Sequence, residues 1–339
     1  MAATFIGTVV GAGFASGQEI LSFFTLYGWA GSLGIVLVAV AFAAGGSWWL
    51  ELGARTRARS YRDALAATAG PWAGSLLDGL LTASLFLGVG VMTAGAAAVT
   101  AEQLGWSPWA GRATFLFLCV VTVWHGLPGV LAANTAVVPL LVGVVIMVAV
   151  HGLRAARPAA LAALAPMAAA LPAAPAPHWL VAALLYAGFN LLLALPVLVP
   201  LGASAPPGAR RLGSLAGGMG LAALALLLHM ALLAHMPASA TREIPVLYLA
   251  AGLPGWFRAL LAVVLWTEIF TTAVGSLYGL ASRLGVPGSG SYRLAVLVTA
   301  VLAMAVAEAG FAHLVRVLYP LLGWLGLGLV AWLLWGARR

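Results

Sequence analysis

Apolar residues fill this chain in stretches long enough to cross a bilayer, separated by short runs rich in Gly, Pro and Arg. A spanning helix needs about 20 mostly apolar residues. Ten such stretches can be laid out, at 2–27, 29–52, 73–101, 109–127, 129–153, 179–201, 212–236, 255–282, 292–309 and 311–336. The pattern predicts an all-α polytopic membrane protein. The longest connection, 154–178, is rich in Ala and Pro and divides the chain into two sets of five spans, 1–153 and 179–339. Five is odd, so the second set must lie upside down relative to the first, which predicts an inverted repeat with its pseudo-two-fold axis in the membrane plane.

Two landmarks recur in order. Ala12-Gly13-Phe14 in the first span is echoed by Ala187-Gly188-Phe189 in the sixth, and Ala69-Gly70-Pro71-Trp72 before the third by Ala251-Gly252-Leu253-Pro254-Gly255-Trp256 before the eighth. Within the eighth span, Glu268, Thr271, Thr272, Gly275, Ser276 and Gly279 fall on one helical face, with Ile269, Phe270, Ala273, Val274, Leu277 and Leu280 on the remainder. The polar face must point into the protein. Ser75, Asp78, Gly79 and Thr82 make a weaker stripe in the third span. Asp78 also has four arginines in the adjoining loop available for pairing.

The first and sixth spans break this regularity. Gly7, Gly11, Gly13 and Gly17 fall within eleven residues and are followed by Gln18 and Glu19. Each glycine weakens a helix interior by about 1 kcal/mol relative to Ala, and an acid near a helix centre costs roughly 3 kcal/mol on insertion scales. Close packing through the two G-x-x-x-G pairs accounts for the glycines but not for Gln18 and Glu19. A helix broken between Gly11 and Gly17, with freed backbone groups lining a cavity, accounts for both. In the sixth span Tyr186, Gly188 and Asn190, followed by Pro196 and Pro200, predict a matching interruption.

Composition narrows the function classes. Charged residues make up 7% of the chain and apolar ones 63%, against roughly 25% and 45–50% in soluble domains. Sixteen arginines, no lysine and eight acids give a net charge of +8. So few charges cannot clothe a soluble surface, so the basic excess reads as membrane orientation rather than nucleic-acid binding. With the amino terminus inside, ten arginines fall on the inner side and six on the outer, which predicts that both termini are cytoplasmic. Gly13-Phe14-Ala15 has the form of a signal-cleavage site, but no basic stretch precedes it and the apolar run continues. One cysteine, Cys119, excludes a disulfide framework, and the six scattered histidines form no metal motif. No nucleophile signature is present, so no enzyme activity and no cofactor are expected.

The remaining polar residues outline a transport site. Carbonyls of Gly11 and Phe14 with the hydroxyls of Thr271, Thr272 or Ser276 would suit a dehydrated Na⁺. Glu19 and Glu268 would alternatively carry a coupling proton, because a carboxyl in apolar surroundings holds a proton at neutral pH. Gly13, Ser16, Gly17 and Gln18, with Tyr186, Phe189, Asn190 and Trp266, complete a candidate pocket for a small amine or amino acid. Ser60 and Asp63 stand at capping-box spacing, and Thr241-Arg242-Glu243 opens the corresponding later loop, so each is expected to start a short surface helix.

The run Gly7-Thr8-Val9-Val10-Gly11-Ala12-Gly13-Phe14-Ala15-Ser16-Gly17-Gln18-Glu19-Ile20 resembles the opening motif of YkvI-type bacterial membrane proteins, and Thr271-Thr272-Ala273-Val274-Gly275 with Tyr278-Gly279 resembles their eighth-span motif. Those proteins are similar to the amino acid-polyamine-organocation superfamily and its LeuT-like fold. The resemblance implies two inverted five-helix repeats, a substrate site between broken spans one and six, and, in sodium-coupled relatives, an ion between spans one and eight. A secondary transporter of a small amino acid or related amine, driven by Na⁺ or H⁺ across a bacterial inner membrane, is the expected function. The alternative is a non-transporting sensor or partner-binding subunit of the same fold. Expected partners are the substrate and the lipid bilayer, with no nucleic acid.

Overall fold

The computed structural model describes residues 1–58, 60–69, 71–125, 128–156 and 172–336. Arg59, Gly70, Arg338 and Arg339, and most of the 154–178 connection, lie outside the described residues. The first span is three helices, α1 (Ala2–Val9), α2 (Ala12–Ala15) and α3 (Gln18–Phe23). There follow α4 (Ala30–Thr56), α5 (Tyr61–Ala69), α6 (Pro71–Leu104), α7 (Pro108–His125) and α8 (Pro128–Ala155). The later part holds α9 (Trp179–Ser204), α10 (Pro207–Leu233), α11 (Pro245–Leu249), α12 (Gly255–Leu284), α13 (Gly290–Ala307) and α14 (Phe311–Gly336). No strand occurs among the described residues.

Among the described residues, eight helices are long and apolar enough to cross a membrane. The first span falls outside that set because it is broken, and α7 because Arg112, Trp109 and His125 dilute an 18-residue helix. Helices α1 and α4 each pack on both α9 and α10, while α6, α7, α12 and α13 pack on one another. α8 joins the groups through α10 and α12, and α14 through α9 and α6. Outward apolar residues such as Leu33, Val36 and Val40 on α4 and Leu294, Leu297 and Val301 on α13 remain exposed, as a lipid-facing surface requires. Exposed Trp29, Trp106, Trp109 and Trp256 lie at helix ends on one side of the bundle, and Trp72 and Trp124 on the side carrying the amino terminus.

The predicted break in the first span is present. Gly11 N–H bonds to the Val9 carbonyl at 2.9 Å, so the Gly7 carbonyl loses its helical donor. The second break turns at Gly17, whose φ of 85° favours glycine. The matching interruption in the sixth span is not present, because α9 runs unbroken from Trp179 to Ser204. Asn190 Nδ2 donates to the Tyr186 carbonyl at 3.0 Å. Gly188 is needed for close approach, since a side chain there would strike the Gly323 carbonyl of α14. Pro196 and Pro200 remove two N–H donors inside the helix without ending it.

The first surface helix is built as its spacing predicts, with Ser60 N–H bonded to Asp63 Oδ2 at 3.0 Å and Asp63 N–H to Ser60 Oγ at 3.2 Å. In the later loop Thr241 ends a 3-10 turn, and the helix begins at Pro245 instead.

Candidate functional site

The breaks in the first span face a cavity of about 560 Å³ at the centre of the bundle. Its wall takes Gly7, Gly11 and Gly13 from the first span, Glu19 from α3, Ser84 and Met92 from α6, Phe189 and Asn190 from α9, Glu268, Thr272 and Ser276 from α12, and Tyr319 from α14. It extends to Tyr61 and Arg283 at the amino-terminal end of the bundle.

Two carboxyls dominate this space. Glu19 is 4% exposed and Glu268 2%, and the Oε2 atom of each is buried with no hydrogen-bond partner. Glu19 starts the first turn of α3, directly after the Gly17 turn, which aims it back across Gly13. The phenols of Tyr186 and Tyr319 are the titratable groups that approach it. The Tyr186 hydroxyl is itself buried, beside the Glu19 carboxyl and the Asn190 amide. No charged partner approaches Glu268 among the described residues. An unpaired buried carboxylate is costly, so both positions call for a proton or a cation.

Of the candidate substrate-binding and ion-coupling residues, Gly11, Gly13, Glu19, Phe189, Asn190, Glu268, Thr272 and Ser276 share this cavity. The rest lie outside its wall. Phe14 is buried in the core on α2, which packs on α12. Thr271 Oγ1 donates to the Glu268 carbonyl at 3.1 Å. Tyr186 joins an aromatic cluster, 4.9 Å from Phe24 and 5.3 Å from Phe189 between ring centres. Trp266 points the other way, stacked on Phe270 at 5.4 Å and against Phe115 at 5.5 Å. It lies two residues before Glu268, and that offset turns it from the polar face by about 200°.

Ser16, Gly17 and Gln18 close the end of the bundle opposite the amino terminus. Ser16 Oγ donates to the Gly13 carbonyl at 2.9 Å, and the Ser16 carbonyl accepts from Val246 N–H at 3.0 Å. Gln18 Nε2 donates to the Arg242 carbonyl at 2.6 Å. Gly17 packs beneath Pro245 and Val246. The same loop reaches α14, where Glu243 Oε2 accepts from Ala312 N–H at 2.8 Å. These three residues therefore fasten a loop over the first span instead of facing the cavity.

At the amino-terminal end, Arg283 donates to Asp78 Oδ1 at 2.7 Å, to the Asp78 carbonyl at 3.1 Å, to Thr82 Oγ1 at 2.6 Å and to the Tyr61 hydroxyl at 3.4 Å. Tyr61 in turn donates to Asp78 Oδ1 at 2.7 Å. Burial first, and then the Asp78 carboxylate, push the Tyr61 phenol above its ordinary range, so it remains a donor. The stripe on α6 thus faces the stripe on α12, which supplies Arg283 as a partner of Asp78. Tyr319 and Arg283 are cavity residues that the sequence reading passed over. Arg283 was detectable, lying seven residues beyond Ser276 on the same helical face.

No family model matches the chain. The uncharacterized membrane protein YkvI of Bacillus subtilis (strain 168) is 29% identical over 342 residues, with 98% of this chain and 94% of the relative aligned. The chain is a homologue of the YkvI-type membrane proteins. A second relative, the uncharacterized protein YyaD of the same organism, is 27% identical over 334 residues, covering 97% of this chain and 94% of that one. Among solved structures, a Na⁺-coupled sialic acid symporter in a substrate-bound outward-open state matches with a TM-score of 0.64 at 12% identity, over 99% of this chain and 77% of that one. Inward-facing Mhp1 matches at 0.64 with 18% identity, over 96% and 72%. MhsT in complex with L-phenylalanine matches at 0.60 with 18% identity, over 90% and 77%. The YkvI-type homologue therefore has the LeuT-like fold.

Proposed function

We propose that the protein is a secondary active transporter that carries a small amino acid or related amine by alternating access, coupled to Na⁺ or H⁺. The observation that carries this reading is the central cavity, where a broken first span meets two buried carboxyls with no charged partner among the described residues, and the hydroxyls of Thr272 and Ser276. A soluble-type core has no use for such a group of buried polar atoms, whereas a transport site must exchange water for cargo there. Residues 1–153 and 179–339 act as the two inverted repeats, joined by 154–178. Arginine placement supports both termini lying in the cytoplasm of a bacterial cell, with the protein in the inner membrane. In that orientation the described state faces inward, because the cavity reaches Tyr61 and Arg283 while the loop at 242–246 covers the outer side.

Ion and substrate divide the cavity between them. Freed carbonyls near Gly11, with Thr272 and Ser276, provide neutral oxygens for Na⁺, and Glu19 and Glu268 provide carboxyls that a proton or cation neutralises. Asn190 and the Phe189 ring line the substrate space. The test is thermal stability of the purified protein against a panel of amino acids and amines, with and without Na⁺ and at two pH values. A cargo at 100 times its Kd stabilises by about 2.7 kcal/mol. If no small solute raises the melting temperature under any condition, the reading fails.

A further inference from the structure

Resting on that transporter reading and narrowing it, we infer that the cargo is an organic ammonium ion lacking a carboxylate, held between Glu19 and Glu268 in the central cavity.

The charge on the wall determines the sign of the ligand. Both acids are more than nine-tenths buried, line the same space and present an Oε2 atom with no partner. Arg283 is the basic residue on that wall among the described residues, and its guanidinium is occupied by Asp78, Thr82 and Tyr61. A substrate carboxylate would enter a space that already holds two acids and offers it no available cation. An ammonium group instead gives each acid a charge-assisted donor.

The aromatic residues agree with that sign. Phe189 and Tyr319 stand 4.9 Å apart between ring centres, and both line the cavity. Ring faces attract a desolvated cation and repel an anion. Leu85, Met92, Val197 and Leu322 supply apolar wall for the hydrocarbon part of the ligand. Amine and proton thus compete for the same two carboxyls, and loading with cargo displaces protons into solution.

Two matched trios test this on the purified full-length protein by isothermal titration. The first is ethylamine, alanine and propionate; the second is 2-phenylethylamine, phenylalanine and 3-phenylpropionate. Each trio is one amino acid with the amine that lacks its carboxylate and the acid that lacks its amino group, so the two charged groups are removed one at a time. In at least one trio the amine is expected to bind, its zwitterion to bind about tenfold or more weakly, and its anion not to bind. Binding of a zwitterion as tight as its amine, or no binding by either amine, overturns the inference.

Glu19→Gln and Glu268→Gln are each expected to weaken the amine about tenfold or more while the ligand-free melting temperature stays within a few degrees. Unchanged amine affinity in both variants also overturns it. Should either variant fail to fold, the trios on the unmodified protein still decide the matter. Binding of the amine without uptake into vesicles would contradict transport and leave this assignment standing. Uptake of a zwitterion that binds best would do the reverse.

Discussion

The Glu19 carboxyl lies against the backbone of Gly13, in the volume that any side chain at position 13 would occupy. The acid and the glycine belong to the two sides of the Ser16–Gly17 turn, so the broken first span holds its own carboxyl in the cavity. Gly13→Ala is therefore expected to push Glu19 out of place at little cost in stability, because the atoms it displaces are the end of a flexible side chain. Ligand affinity should fall about tenfold or more, measured by titration beside the melting curve. Wild-type affinity in this variant would show that the position of Glu19 does not matter.

The crossing of α4 and α9 depends on two glycines in reciprocal contact. A methyl at Gly53 would strike the Val199 carbonyl, and one at Gly202 the Leu50 carbonyl. Gly53→Ala and Gly202→Ala are each expected to destabilise the protein by about 1–3 kcal/mol, and the double variant by less than the sum because one separation of the helices relieves both clashes. Gly143→Ala, with open space around it, is the control and should gain up to about 1 kcal/mol. Melting curves in one detergent compare all four.

The state described here has its cavity reaching the amino-terminal end and its other end covered. Cys119 is fully buried, which leaves the protein silent to impermeant thiol reagents. In oriented vesicles, Leu85→Cys is expected to react from the amino-terminal face and to be protected from the other. Removing the Gln18 hydrogen bond to Arg242 with Gln18→Ala should add reactivity from the protected face. Equal reactivity from both faces before that change would contradict a closed outer end.

Coupling separates by residue. Thr272→Ala is expected to remove any Na⁺ dependence of ligand binding by deleting a hydroxyl from the cavity wall, leaving the response to pH in place. Glu268→Gln is expected to do the opposite, since it removes a proton acceptor and spares the hydroxyls. Binding measured over a Na⁺ series and a pH series distinguishes them. Unaltered dependence on both in both variants would remove these residues from the coupling scheme.

Helical periodicity made the spans legible, and the cost of glycines and acids in a bilayer located the break near Gly11–Gly17. Glu268, Thr272 and Ser276 were legible for the same reason, because a polar stripe on an apolar helix has to turn inward. The sixth span shows the limit of that reasoning. Gly188 and Asn190 resemble break signals, yet the glycine admits α14 and the amide bonds to its own helix. Gln18 is polar and buried, as a site residue is, but its partner is the carbonyl of Arg242, 224 residues away. Contacts between distant segments decided those roles, and Trp266 was lost through its angular position on α12. Tyr319 had no local signal at all, since it reaches the cavity only through the packing of α14 on α9 and α6.

The central claim is transport, and uptake into proteoliposomes tests it most directly. The purified protein is reconstituted with a radiolabelled ligand chosen by titration, under an imposed Na⁺ or proton gradient and with none. Accumulation above the equilibrium level is expected under one of the gradients, with collapse when that gradient is dissipated and strong reduction in Glu268→Gln or Thr272→Ala according to the ion. A ligand that binds tightly but never accumulates under either gradient would contradict it.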